Sequence, residues 1–191
     1  GAGHETTARA LGWTLYLLAK APEERSKVEE EVKRITCKYN NPLDWIEKMP
    51  YTRAAFEEAM RLYPPAPVIS REAIEDITWG DTVITKGSQC LVMPWTLHRH
   101  EKYWDKPNAF MPSRFLPENR VDIDKFQYLP FGAGPRVCIG QSFAIQEAII
   151  ILGVLLSKFR FDMAKGGAEP WPVQKLTTQP GGGLQMVATK L

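Results

Sequence analysis

Cysteine is scarce in this sequence of 191 residues, and the scarcity excludes several classes of protein. The three cysteines, Cys37, Cys90 and Cys138, are far apart and odd in number. No C-x-x-C zinc spacing exists, and a framework of disulfides is not expected. The simplest expectation is a reducing, cytoplasmic compartment.

Long apolar runs and a strong excess of one charge are also lacking. The longest apolar run, residues 148–156, is much shorter than the ~20 residues that a membrane-spanning helix needs. The net charge of +2 gives no reason to expect a nucleic acid as partner. The chain starts inside a helical pattern without an initiator Met, so we expect it to be a piece of a longer protein. Membrane attachment is left undecided for that reason.

The spacing of apolar residues predicts a helix-dominated fold with small sheets, in the α+β or mostly α class, and the length suits one domain. Pro22, followed by Glu23 and Glu24, is typical of a helix start. The predicted helices cover about 2–20, 22–34, 51–63 and 141–158. Alternation between residues 68 and 95 predicts short antiparallel strands, with turns at 80–81 and 86–87. A meander with short helices is predicted over 97–130, and turns are predicted at 170–172 and at 180–183, the latter between two final strands.

The segment from Phe131 to Gly140 carries most of the chemical information. One cysteine, Cys138, lies in a loop of glycines with Arg136 two residues before it, and a long apolar helix is predicted to begin at Gln141. A cysteine at the mouth of a helix faces unpaired N–H groups and the positive end of the helix dipole, which favours its thiolate. A single thiolate held in this way suits an axial haem ligand. A buried structural cysteine beside a turn is the alternative.

The pattern Phe-x-x-Gly-x-Arg-x-Cys-x-Gly resembles the haem-ligand signature of the cytochrome P450 family, the haem-thiolate monooxygenases. The resemblance implies a P450-like fold, of which residues 1–191 form the C-terminal, haem-binding half as a single domain. It implies haem b with Cys138 as the metal ligand. The residues that it assigns to the haem site are Phe131, Gly134, Arg136, Cys138, Gly140 and Ala144.

A charged pair on the third predicted helix has its own counterpart in the family. Glu58 and Arg61 stand at i and i+3, which alone is typical of a surface ion pair. The family has a Glu-x-x-Arg helix whose pair is completed by an arginine from a later Pro-x-Arg-Phe segment, here Arg114. Ser113 stands where the family usually has Glu. The resemblance implies a buried ionic lock of Glu58, Arg61 and Arg114.

The first residues of the chain resemble the helix on the oxygen side of the haem. The segment from Ala2 to Thr7 matches the family pattern of small residues followed by an acid and two hydroxyls. The resemblance implies that the Thr6 hydroxyl bonds dioxygen and that Glu5 supplies protons. An ordinary helix-capping sequence is the alternative interpretation.

Two arginines and a set of apolar residues complete the expected site. The resemblance implies that Arg71 and Arg136 bind the haem propionates, a role that suits arginine because a guanidinium can bind a carboxylate with two hydrogen bonds. A surface position at a strand edge is the alternative for Arg71, and His98 is a weaker candidate for the same role. The residues that the resemblance assigns to the substrate pocket are Ala2, Ala66, Pro67, Val68, Ile69, Leu176 and Thr177. Ordinary core packing is the alternative for each of them. A mostly apolar lining implies an apolar small-molecule substrate.

The implied reaction inserts one oxygen atom from O2 into an organic substrate. Its electrons would come from NAD(P)H through a separate donor, a ferredoxin or a flavin reductase. Five basic residues are expected to present positive charge to that donor: Arg99, Arg120, Lys125, Lys158 and Arg160. The missing N-terminal half of the same protein is the other expected partner. Two alternatives remain, a relative that uses peroxide or rearranges hydroperoxides, and a non-catalytic haem-binding fragment.

Overall fold

Four long helices form the framework of the molecule. The computed structural model describes residues 2–191, and of Ala2 the backbone only. The four are α1 (Ala2–Lys20), α2 (Pro22–Lys38), α4 (Pro50–Leu62) and α7 (Gln141–Leu156), and three helices of four residues each are α3 (Trp45–Lys48), α5 (Pro94–Leu97) and α6 (Pro117–Arg120). Short 3₁₀ segments occupy Pro42–Asp44, Pro112–Phe115 and Gly134–Arg136.

The main core lies where the four long helices meet. Ala10 of α1, Val32 of α2, Phe56 of α4 and Ile149 of α7 are all nearly inaccessible and belong to one apolar cluster. Burial of such side chains stabilises the fold by roughly 1.5–3 kcal/mol each. The core therefore fixes α1, α4 and α7 relative to one another, and each of these helices contributes to the wall of the candidate site.

The start of α4 shows how the long helices are joined. Pro50 occupies the first helical position, where its missing N–H costs nothing. The Glu31 carboxylate of α2 accepts hydrogen bonds from the backbone N–H of Tyr51 at 2.9 Å and of Thr52 at 2.7 Å. A side chain from a neighbouring helix thus satisfies N–H groups that α4 itself leaves unpaired.

The strands form four separate antiparallel pairs. Strand β1 (Ile69–Glu72) pairs with β4 (Gln89–Val92), and β2 (Ile77–Trp79) pairs with β3 (Thr82–Ile84). Strand β5 (Phe159–Met163) pairs with β8 (Met186–Lys190), and β6 (Trp171–Gln174) pairs with β7 (Thr178–Gly181). The β6–β7 hairpin lies on α1.

The α+β, mostly helical class is confirmed, and so are the four predicted helices and the strands between residues 68 and 95. Helix α2 continues four residues beyond the predicted end, and α3 and β5 were not predicted. The turn predicted at 170–172 is wrong, because Trp171 and Pro172 lie in β6. Pro172 stands opposite Pro180, so both missing N–H groups fall at one position of a two-stranded sheet.

The two final strands do flank the 180–183 turn, but each pairs with a different partner.

None of the helices within residues 2–191 combines the length and the apolar content that a membrane span requires.

Candidate active site

The cysteine loop is held by its own backbone. The Cys138 N–H donates to the Phe131 carbonyl at 2.9 Å, which closes the loop, and the Gln141 N–H donates to the Cys138 carbonyl at 3.3 Å, where α7 begins. Gly132 and Gly134 have φ angles of +75° and +74°, a region that residues with a Cβ rarely adopt. The glycines are therefore required by the path of the loop, and that path leaves the Cys138 side chain exposed.

The Cys138 thiol lies on the wall of a cleft of about 510 Å³. The cleft is bounded by α1, α4, the segment leading into β1, and the cysteine loop with the start of α7. The predicted site residues that line it are Thr6, Ala66, Val68, Ile69, Arg71, Phe131, Arg136, Cys138, Gly140 and Ala144. Residues from widely separated parts of the sequence are thus brought to one cavity.

Several predicted residues lie away from this cleft. Pro67 and Gly134 are not among the residues that line it. Leu176 does not line it either, and its side chain is 89% exposed. Ala2 lies outside the residues whose side chains are described. Leu176 is directed outward because it forms the tip of the β6–β7 hairpin, beyond the last paired residue, Gln174.

The predicted acid, Glu5, also does not line the cleft, and neither does Thr177. These two predicted residues meet each other instead. The Thr177 hydroxyl donates to Glu5 Oε1 at 2.8 Å. Thr6, the residue next to Glu5, faces the cleft.

The chemistry of the lining fits a thiolate-ligated haem. Haem is a flat, largely apolar ring with two carboxylates at one edge. The cleft presents one thiol, from Cys138, and two guanidinium groups, from Arg71 and Arg136, among apolar side chains. A thiolate can serve as the axial ligand, and the guanidinium groups can pair with the carboxylates.

Of the cleft residues that the structure describes, ten were not among the predicted site residues: Gly3, Thr7, Ala10, Phe56, Met60, Pro65, Pro130, Gly132, Ile139 and Phe143. The signal for the first three is helical spacing, because positions 3, 6, 7 and 10 form one stripe of α1. The same reasoning applies to Phe56 and Met60, which stand four residues apart on α4. Phe143 at the start of α7 also lines the cleft, although its side chain is 69% exposed.

The structure brings Glu58, Arg61 and Arg114 together behind the site. Arg61 donates to both oxygens of Glu58, at 2.6 and 2.8 Å, and both side chains are fully buried. The remaining Arg61 donors bind the carbonyls of three residues, His98, Pro107 and Ala109. Arg114 Nε lies 3.4 Å from Glu58 Oε1. Because the guanidinium of Arg61 is satisfied on every side, the pair ties α4 to the meander.

The charge state of Glu58 is set by two opposing effects. Burial raises the pKa of its carboxyl, whereas the hydrogen bonds from Arg61 and the Met111 N–H oppose that rise. Removal of one partner from such a buried pair typically costs about 3–5 kcal/mol.

His98 does not face the cleft, so the candidate role in propionate binding is not supported. Its ring is fully buried and lies between two backbone groups. Nε2 accepts from the Leu129 N–H at 2.8 Å, and Nδ1 lies 3.2 Å from the Arg61 carbonyl. The sequence position beside Arg99 gave no sign of this burial.

The five basic residues expected to meet an electron donor do not form one patch. Arg99 stacks on Trp95, with 3.8 Å between the guanidinium carbon and the ring centroid. Lys158 and Arg160 follow the C-terminal end of α7, whereas the cysteine loop precedes its N-terminal end. Because a helix of 16 residues is about 24 Å long, these two residues lie far from the cysteine loop. Only Arg120 and Lys125 line a smaller cavity of about 220 Å³ that also contacts Phe131 and Gly132 of the cysteine loop.

Comparison with known proteins identifies the family of the chain. A family model described as Cytochrome P450 matches residues 1–186. The chain therefore belongs to the cytochrome P450 family.

Three relatives illustrate the similarity. The chain is 36% identical to Cytochrome P450 4V2 of Mus musculus, over 95% of this chain and 35% of the relative. It is 41% identical to Cytokinin hydroxylase of Arabidopsis thaliana, over 100% of this chain and 36% of the relative. It is 38% identical to Cytochrome P450 4F2 of Homo sapiens, over 95% of this chain and 35% of the relative. The chain thus spans about a third of the length of these curated relatives.

Proposed function

We propose that residues 1–191 form the C-terminal, haem-binding domain of a P450 monooxygenase that inserts one oxygen atom from O2 into an apolar substrate. The observation that carries this proposal is the presence of Cys138, Arg71 and Arg136 on the wall of one apolar cleft. The family assignment supports the same reaction class, and hydroxylation is named for one relative.

Cys138 is the proposed axial ligand. Bound haem supplies the oxidising chemistry, and a thiolate ligand donates electron density that favours cleavage of the O–O bond. The chain's own contribution is to hold the sulfur in place. The hydrogen bond from Cys138 N–H to the Phe131 carbonyl and the left-handed glycines support a loop that needs no rearrangement to present it.

Arg71 and Arg136 are the proposed anchors for the two propionates. They come from β1 and from the cysteine loop, so they approach the cleft from different elements. Both side chains are exposed, and the Arg71 head group donates to the neighbouring Ser70 carbonyl at 2.8 Å. Each guanidinium retains further donors with which it can bind a carboxylate.

Thr6 and Glu5 are the proposed route for protons. Thr6 lines the cleft and is half-buried, as expected for a hydroxyl that delivers a proton to the reacting oxygen. Glu5 is exposed, so its carboxyl can exchange protons with water. The proton would pass from solvent to Glu5, then to the Thr6 hydroxyl, and from there to the reacting oxygen.

The substrate class follows from the rest of the lining. Phe56, Met60, Val68 and Ile69 present apolar side chains to the cleft. A small apolar molecule, or the apolar part of a larger one, fits this chemistry. Apolar walls also exclude water from the place where the oxygen is transferred.

The electrons are proposed to come from NAD(P)H through a ferredoxin or a flavin reductase. Arg120 and Lys125, beside the cysteine loop, are the basic residues that we assign to the docking of an acidic donor. The three cysteines are free, which fits a location facing the reducing cytoplasm.

Two other functions remain as alternatives. A peroxide-using or hydroperoxide-rearranging relative would need no acid and alcohol on the oxygen side, and such relatives tend to lack the Glu5–Thr6 pair. A non-catalytic haem-binding protein would keep the thiol and the arginines but would not turn over. If product formation depends on a reductase rather than on peroxide, the first alternative is excluded. If any product forms, the second alternative is excluded.

The test is substitution of the thiol in the full-length holoprotein. Cys138→Ser is expected to abolish the thiolate signature in the carbon monoxide difference spectrum of the reduced protein, together with product formation. Cys37→Ser is the matched control, because Cys37 is an exposed thiol on α2 and lies outside the cleft. An unchanged spectrum in Cys138→Ser would rule out the assigned ligand.

A further inference from the structure

One face of α1 binds the β6–β7 hairpin through three polar side chains spaced four residues apart. Glu5 accepts from the Thr177 hydroxyl at 2.8 Å, and Arg9 donates to the Gln179 side-chain oxygen at 3.0 Å. The Trp13 indole donates to the Thr178 carbonyl at 3.3 Å. Positions i, i+4 and i+8 lie on one helical stripe, so the hairpin follows α1 for more than two turns.

Within the described part of the chain, the polar contacts of Glu5 fall on one of its two oxygens. Thr177 donates to Oε1, and Arg9 Nη2 lies 3.7 Å from the same atom. Thr177 is 6% exposed, whereas the Glu5 side chain is 47% exposed. A fixed, buried hydroxyl thus holds a carboxyl that otherwise has several rotatable bonds in solvent, and Oε2 is the oxygen that we assign to proton exchange.

Helix geometry alone does not direct the Glu5 carboxyl toward the reaction. Thr6 lines the cleft, and consecutive residues of a helix point about 100° apart, so Glu5 and Thr6 do not face the same way. Helix geometry therefore leaves the position of the carboxyl relative to the Thr6 hydroxyl open. Within α1, Arg9 Nη2 comes no closer to Glu5 Oε1 than 3.7 Å, whereas the Thr177 hydroxyl makes a hydrogen bond of 2.8 Å to it.

We propose that Thr177 is a positioning residue, which holds the Glu5 carboxyl in the orientation needed to pass protons to Thr6. This inference rests on the proposed function. The protonated carboxyl gives its proton to the Thr6 hydroxyl as that hydroxyl releases its own to the reacting oxygen, and Glu5 then takes a proton from solvent. One proton moves from solvent to oxygen, and both side chains return to their initial state.

Simple docking of the hairpin is the competing explanation for the contact. Docking does not depend on Thr177, because Thr178 makes two further bonds at the same place. Its N–H donates to the Pro65 carbonyl at 3.0 Å and its hydroxyl to the Pro64 carbonyl at 2.7 Å. The hairpin should therefore stay in place when only the Thr177 hydroxyl is removed.

The experiment compares Thr177→Val, which removes the hydroxyl with little change of shape, with Thr177→Ser, which keeps it. Thr178→Val is the matched control, since it removes the neighbouring hydroxyl of the same hairpin. In the full-length holoenzyme with its reductase, Thr177→Val should lower the product formed per reducing equivalent by about tenfold, as expected for loss of one hydrogen bond to a charged group. The reducing equivalents that no longer form product should appear as peroxide. Thr177→Ser should restore the wild-type ratio, and Thr178→Val should keep it.

A second readout does not depend on turnover. The infrared difference between wild type and Glu5→Gln isolates the carboxylate band of Glu5, and this band should shift in Thr177→Val but not in Thr178→Val. An unshifted band, or equal loss of product per reducing equivalent in the two valine variants, overturns the proposal. Failure of the proposed function would look different, because wild type itself would then form no product or show no thiolate spectrum.

Discussion

At the scale of single residues, His98 shows how burial selects a protonation state. The Leu129 N–H donates to Nε2, so the ring proton is assigned to Nδ1, which donates to the Arg61 carbonyl. A second proton on Nε2 would face the Leu129 N–H and would be buried without an acceptor. Burial accordingly lowers the pKa of His98 from 6.5 to about 3.

This shift predicts a dependence of stability on pH. In the unfolded chain His98 takes up a proton as the pH falls below its ordinary pKa of 6.5, whereas in the folded protein it stays neutral down to about pH 3. Protons then favour the unfolded state, and the free energy of unfolding should fall by up to about 1.4 kcal/mol per pH unit below pH 6.5. Urea midpoints of the holoprotein between pH 5 and pH 8 measure this effect.

His98→Gln provides the control for that prediction, because glutamine accepts a hydrogen bond but does not titrate. The difference in stability between wild type and His98→Gln should shrink as the pH falls from about 6.5 to about 5, before most carboxyl groups titrate. His100→Gln changes an exposed histidine of the same segment and keeps His98, so this variant should still lose stability below pH 6.5. A pH-independent difference for His98→Gln would contradict the assignment.

At the scale of elements, α7 approaches the short helix α3 at a glycine. A Cβ added at Gly153 would lie 2.8 Å from the Trp45 ring, closer than real contacts allow. The Trp45 ring is nearly buried, and its indole N–H donates to the Tyr39 carbonyl at 2.8 Å, so it cannot move aside freely. The close packing of α7 therefore depends on the absence of a side chain at this position.

Gly153→Ala should destabilise the protein although alanine favours helix. Overpacking of a core contact costs typically about 1–3 kcal/mol, against a gain of about 1 kcal/mol in helix propensity. We expect a net loss of about 1 kcal/mol and a lower melting temperature in differential scanning fluorimetry.

Gly12→Ala is the matched substitution for that test. It also lies in a long helix, but its Cβ would meet only the Leu184 Cδ1 methyl at 3.1 Å, which is the end of a flexible side chain. This variant should melt within a few degrees of wild type, or above it. If both variants behave alike, the contact with Trp45 is not the cause.

At the scale of the whole molecule, the cleft is bordered by apolar side chains that face solvent in this chain. Ile139 is fully exposed, Phe143 is 69% exposed and Val137 is 46% exposed. These residues follow one another around the cysteine loop and the start of α7. Exposed apolar side chains grouped in this way mark a surface that normally packs against another molecule.

We therefore predict that residues 1–191, produced alone, self-associate and give no coupled turnover with a surrogate reductase. An open cleft does not exclude water, and an uncovered haem ring would lose much of its apolar burial. Light scattering should show a mass that rises with concentration, and Ile139→Lys should reduce this rise. Leu43→Lys, at an exposed leucine in the segment before α3, should not. A stable monomer with stoichiometric thiolate-ligated haem and coupled turnover would contradict the prediction.

Prediction from sequence succeeded where the signal is local. The four long helices and the strands between residues 68 and 95 follow from periodicity, prolines and turn residues, which act within a few positions. It failed for β6, where a Trp-Pro sequence typical of a turn is overridden by pairing with β7. It also failed for the five basic residues that were expected to form one docking surface. Spacing along the sequence does not show that Lys158 and Arg160 lie at the opposite end of α7 from the cysteine loop.

The sequence by itself determined the cysteine loop, the small-residue start of α1 and the membership of the cytochrome P450 family, since glycine conformations and motif chemistry are encoded in short segments. Only the tertiary structure decided which groups meet. Glu5 and Thr177 are 172 positions apart, yet packing of the hairpin on α1 joins them by a hydrogen bond. Packing of the meander on α4 likewise brings His98 into contact with Arg61. A side chain's partners depend on how separate elements pack, and no local pattern in the chain specifies that arrangement.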